Sequence, residues 1–249
     1  MGDTNTVMAI MATGIIMTDD ATASDIYRLA AWLSPAFPVG AYTYSSGLEY
    51  AVEDGLVGDA ASLEKWLSDL FRHGVAGIDG GFFCLAHRAA TAGDDEAMAE
   101  CLEWADALRP TAELALESAA QGEAFLKTVR AAWPHEDLEQ LAALSATQAR
   151  KPAYAVAVGA CCGFHGLPLT LSLAAFLHAL GANLVSAAVR SIPLGQTDGQ
   201  RVTAALAPVI ETLLDIIKRK TLDDLGAATP VMDWASMQHE TQHTRLFRS

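Results

Sequence analysis

Three residues near the end of the chain have the types and spacing of a zinc peptidase. Within "SMQHETQHTRLFRS", His239, Glu240 and His243 read H-E-x-x-H. On a helix, residues four apart share a face, so both imidazoles could reach one metal while the glutamate served as general base. A catalytic zinc also needs a third protein ligand and an open position. In the common helical zinc peptidases that ligand lies downstream, where "TRLFRS" offers no His, Asp, Glu or Cys. The pattern is therefore read first as a solvated or partner-contacting segment, with a zinc metallohydrolase as the alternative.

Other candidate ligands are Cys84 with His87, three apart, and Cys161, Cys162 and His165 ahead of a turn. Neither group has a C-x-x-C repeat, and a free cysteine on a helix is usually a small core residue. No G-x-x-x-x-G-K-[ST] phosphate cradle and no G-x-S-x-G elbow occurs. No catalytic residue, metal or cofactor is expected from these patterns, and the chain is read as no enzyme.

The elements that would position such residues are helical. In "SLEKWLSDLFRHGV", Leu63, Trp66, Leu67, Leu70 and Phe71 follow one helix face. Asp59 is placed to cap this helix and Gly74 to stop it. Further helices are predicted at about 25–33, 45–54, 76–92, 95–108, 112–131, 137–149, 153–163, 169–180, 182–190 and 197–219, separated by turn signals such as "SPAFPVG", "RPT", "HGLP" and "IPLG". No run alternates as a strand would, and abundant alanine favours close helix packing. The expected fold is all-α: a single-domain bundle of about ten helices, with no significant sheet. Residues 1–23 read as a loose, disordered leader, 24–230 as the helical domain and 231–249 as a C-terminal docking tail.

Composition narrows the function classes. The chain has 249 residues, 51% hydrophobic and 18% charged, enough for a sizeable core. A net charge of −14 disfavours phosphate backbones, so no nucleic-acid partner is expected. Four sparse cysteines, and no basic residue before Arg28, argue against a secreted framework and a signal peptide and for a cytoplasmic protein. The run "LPLTLSLAAFLHALGANLVSAAV" has the length of a membrane span, but Pro168, His178, Gly181 and Asn183 interrupt it. It is read as a helix pair in a core or a dimer interface, with no membrane association.

Three stretches remain unusual. "LSPAFPVGAYTYSSGLEYAVEDG" combines Pro35 and Pro38 with Phe37, Tyr42, Tyr44 and Tyr50. Rigid aromatics with polar tips suit recognition, although a loop pinned on the bundle would look the same. "SIPLGQTDGQRV" sets Gln196 and Gln200 around Asp198 at a helix start, where the acid is favoured by the helix dipole. The tail carries Arg245, Leu246, Phe247 and Arg248, an apolar pair between guanidiniums that can remain mobile until a partner orders it.

Together, "LSPAFPVGAYTYSSGLE", "SAAVRSIPLGQTDGQRV" and "SMQHETQHTRLFRS" resemble the urease accessory protein UreF family, with "ALESAAQGEAFLKTV" similar to that family's long middle helix. The resemblance runs from about residue 26 to residue 249, in the expected order. "RKPAYAVAVG" departs from it, with Lys151 where the family has histidine. The resemblance implies an all-α, dimeric, non-catalytic protein of nickel-urease maturation. Such a protein binds UreD (also called UreH), recruits and regulates the GTPase UreG, and through that complex serves Ni²⁺ delivery to apo-urease. It also implies that Arg245, Leu246, Phe247 and Arg248 belong to a segment that orders on UreD. The proline–tyrosine loop (Pro35, Phe37, Tyr42, Tyr44) and Gln196, Asp198 and Gln200 are the further expected partner contacts.

Overall fold

The computed structural model describes residues 21–249; the leader predicted at 1–23 lies almost wholly outside the described residues. Its last members do not belong to it. Thr22 caps α1 (Ala23–Trp32) in a reciprocal capping box with Asp25. Among the described residues there are eleven α-helices and no strand, in agreement with the expected class.

The core is organised around α8 (Tyr154–Phe164), in which every residue from Tyr154 to Gly163 is buried. A helix apolar on all sides must be enclosed. It is wrapped by α4 (Asp79–Ala92) and α6 (Ala112–Ala132). Gly159 permits the closest approach, since a Cβ there would lie 2.3 Å from the Phe83 carbonyl oxygen. Phe83, Phe176, Phe125 and Trp32 fill the space around this helix. Burial pushes the thiols of Cys84, Cys101 and Cys162 up to about 12, and that of Cys161 well above its ordinary value. Thiols that stay protonated are poor ligands and nucleophiles, so the four cysteines are packing residues.

A second cluster joins α2 (Leu48–Glu53) and α3 (Ala60–Leu70) to α9 (Leu169–Ser191) and α10 (Gln196–Ile217) through Leu48, Leu63, Trp66, Leu67, Leu184 and Leu206. The face predicted for α3 is the one it buries, and Asp59 caps it as expected. Gly74 does not stop the chain: it is buried in a π-helical turn, Phe71–Val75, that continues α3. The residues predicted as two helices, 169–180 and 182–190, form the single helix α9. Gly181 lies inside it, where a Cβ would sit 3.3 Å from Leu206 and 3.4 Å from the Phe71 ring, so this glycine marks a close helix contact rather than a break. By length and composition α9 could cross a membrane, yet half of its most apolar stretch is buried inside the body. The remaining helices are α5 (Asp95–Ala107), α7 (Glu136–Thr147) and α11 (Pro230–His239).

Candidate functional site: a folded-back C-terminal surface

The segment expected as a tail from residue 231 opens as a helix. Pro230 starts α11 from its first position, where a missing N–H costs nothing. α11 packs on α2 and the start of α6. The contact with α2 is close because Gly47 faces the helix: a Cβ there would meet the Ser236 backbone at 2.8 Å. Gly47 also has φ +80°, a second reason for glycine at this position. Buried hydroxyls of Thr111 and Ser236, 2.8 Å apart, join α11 to the cap of α6.

The helix ends at His239, which removes the geometric premise of the H-E-x-x-H reading. His243 lies beyond the helix and is exposed, so the two imidazoles do not share a helix face. His239 is fully buried, and both ring nitrogens are occupied. Nδ1 is 2.7 Å from Glu113 Oε2 and Nε2 is 3.1 Å from Glu49 Oε2. Each ring nitrogen thus faces a carboxylate of the protein's own, and neither is left to hold a metal. Glu240, the supposed general base, instead accepts from the Ala112 and Glu113 amides at the start of α6, 3.2 and 3.4 Å away. A carboxylate there neutralises the positive helix end. Among the described residues no three His, Cys, Asp or Glu side chains are grouped to hold a metal ion.

The same acids hold the chain that follows. Glu49 accepts from the amides of Leu246 at 2.6 Å and Phe247 at 2.9 Å, and Glu113 pairs with Arg245 at 2.6 Å. Beyond them the tail lies along the proline–tyrosine loop. The Arg248 amide donates to Thr43 O at 2.8 Å, and the Ser45 amide donates to Ser249 O at 2.7 Å. The segment expected to be mobile is thus tied to the body by backbone and side-chain bonds.

Glu117 lies one turn further along α6 and receives the Ser249 hydroxyl at 2.6 Å and the Gln121 amide at 3.0 Å. Burial pushes its carboxyl above the ordinary range, against the opposing pull of the Ser249 and Ser46 hydroxyls. The folded state therefore holds this proton more tightly than the unfolded chain. Stability conferred by the protonated form is present below the unfolded value of 4.5 and is lost as pH rises through the higher folded value. Glu117→Gln is expected to flatten that decline, so the variant gains on the parent chain as pH rises from 4.5 through the higher folded value. Thermal unfolding across that range measures it.

The predicted contact residues are sorted by burial. Tyr42 and Leu246 are each 64% exposed, and Pro35, Gln196, Gln200 and the Arg248 side chain are also exposed. Phe37, Tyr44 and Phe247 are buried and cannot be outward contacts here. Phe37 packs against Phe125 and Trp133 in the core, and so holds the loop in place. Asp198 lies in the first turn of α10, as predicted, and pairs with Arg201 at 2.8 Å. A cleft of about 360 Å³ between α9 and α10 is lined by Tyr42, His178, Arg190, Gln196 and Gln200, which brings the glutamine segment to the edge of the loop.

Sequence reading missed Glu49, Glu113, Glu117 and Arg190. Glu49, Glu117 and Arg190 stand inside the quoted motifs. Glu113 and Glu117 are four apart on α6, a spacing that places both on one face. The partner that gives each its role is distant in sequence and leaves no local signal.

The fold and this surface define an all-α protein in which His239, Glu49, Glu113 and Glu117 are engaged in its own architecture. The UreF family model matches residues 57–207. A protein of Rhodopseudomonas palustris (strain HaA2) named urease accessory protein UreF is 52% identical over 226 residues, covering 91% of this chain and 94% of its own. One of the same name from Xanthobacter autotrophicus is 53% identical over 89% of this chain and 90% of its own. A third, from Rhodopseudomonas palustris (strain BisB18), is 48% identical over 96% of this chain and its full length. The chain belongs to the UreF family of urease accessory proteins.

Proposed function

We propose that this chain is a urease maturation factor that acts as a scaffold. It docks on UreD/UreH, recruits and regulates the GTPase UreG, and so takes part in Ni²⁺ delivery to apo-urease. It does so as a homodimer in the cytoplasm and without catalytic chemistry of its own. Beyond family membership, one observation carries this reading. The tail, the proline–tyrosine loop and the start of α10, far apart in sequence, meet around Tyr42 and Arg190.

On this surface Leu246, Arg248, Tyr42, Pro35, Gln196 and Gln200 are free to touch a partner. Phe37, Tyr44, Phe247 and Arg245 set their positions. An exposed apolar side chain beside a guanidinium and a phenol is the composition that anchors protein interfaces. The net charge of −14 adds long-range attraction to partners with basic faces. Nickel is cargo here, and a scaffold needs no strong site for it. The test is co-purification of the untagged chain with tagged UreD and UreG, with and without GTP. Capture of both supports the reading, with UreG retention changing with nucleotide. Capture of neither from a folded, helical chain would refute it.

A further inference from the structure

The Arg190 guanidinium lies between two aromatic rings, 3.7 Å from the Tyr42 centroid and 4.4 Å from that of Phe247. Tyr42 belongs to the proline–tyrosine loop and Phe247 to the tail, and Arg190 itself projects from the last turn of α9. Its Nε donates to Ser186 O at 3.0 Å, which fixes the plane of the group. Nη2 is buried with no hydrogen-bond partner among the described residues, a cost that a side chain serving only to decorate the surface would not carry. A flat cation held between two ring faces is attracted to both, and the attraction strengthens as water is excluded.

We propose that Arg190 is the positioning residue that couples the tail to the proline–tyrosine loop: either ring, on leaving, exposes the guanidinium to water and weakens its hold on the ring that stays. This rests on the reading of that surface as the docking face, and it adds that the two parts move as one. A partner that lifts the tail thereby releases Tyr42, and one that grips Tyr42 secures the tail.

Site-resolved amide exchange on the isolated full-length chain tests the coupling and requires no partner, so its outcome is separate from that of co-purification. The reporters are the Arg248 and Ser45 amides, which bond between tail and loop, with amides of α8 as the core reference. Arg190→Gln is expected to speed exchange at both reporters about tenfold and to leave the reference unchanged, whereas Arg190→Lys, which keeps the charge and loses the flat face, retains only part of the protection. Tyr42→Leu, on an exposed side chain that the fold does not require, is expected to speed the Arg248 amide, and the double variant to be no faster than Arg190→Gln alone. Wild-type protection in Arg190→Gln or in Tyr42→Leu, or effects that multiply in the double variant, would overturn the proposal.

Discussion

Replacing His239 by alanine is expected to destabilise the fold by about 3 kcal/mol and to lower the unfolding temperature by roughly 6–12 °C. The ring is fully buried, and its carboxylate partners Glu49 and Glu113 are only 13% and 12% exposed. Truncation leaves two facing acids without the imidazole between them, and removing one member of a buried hydrogen-bonded network costs more than the network contributes while intact. The effect also spreads, because Glu49 holds the Leu246 and Phe247 amides and Glu113 holds Arg245. His243→Ala is the control. It removes an exposed side chain outside the helix and is expected to change stability by less than about 0.5 kcal/mol. Thermal or denaturant unfolding distinguishes the two. Equal effects would mean that the histidines are equivalent, as the metal-binding pattern requires and the geometry does not.

Gly159→Ala is expected to be at least as damaging, costing about 3 kcal/mol or more and reducing the yield of folded protein. The added methyl would stand 2.3 Å from the Phe83 carbonyl oxygen and 3.0 Å from the carbonyl carbon. Both are backbone atoms of α4, so no side chain can rotate away, and α4 and α8 would have to separate. Gly58→Ala provides the contrast. A Cβ there meets nothing within 4 Å, and the loss of unfolded-chain freedom makes that change neutral or slightly stabilising. Urea unfolding of the two variants gives the comparison. A mild Gly159→Ala would show that the central helix pair is less tightly joined than a 2.3 Å approach requires.

The helices were legible wherever one face was apolar and an end was capped. α3 shows both, with Leu63, Trp66 and Leu67 buried on the predicted side and Asp59 in a capping box. Two of the errors came from glycines. Gly74 and Gly181 look like breaks in the sequence, but both lie at close contacts, where the absence of a Cβ makes room for a neighbour. Local pattern cannot distinguish a glycine that ends a helix from one that admits another element, because the distinguishing atoms belong to Thr229 in one case and to Leu206 and Phe71 in the other.

The site was legible as motifs and illegible as geometry. The tail, the loop and the glutamine segment were each recognisable, and they converge. The identity of the outward residues was not predictable, since Tyr42 and Tyr44 are two apart in one loop and only Tyr42 is exposed. His239 is bridged by carboxylates 190 and 126 positions away in sequence. Contacts of that separation arise from how α2, α6 and α11 pack, and no periodicity encodes them. The H-E-x-x-H spacing misled for the same reason: four residues make one helical turn only while the helix lasts.

The most direct measurement is the dissociation constant for UreD of the full chain against a chain lacking residues 244–249, with circular dichroism to verify that helicity is retained. That truncation keeps α11, His239 and Glu240 and removes the segment lying on Glu49, Glu113, Glu117 and the proline–tyrosine loop. Docking through the folded-back surface predicts binding at least about a hundredfold weaker, roughly 2.7 kcal/mol, at unchanged helicity. Equal affinity in the truncated chain would contradict it.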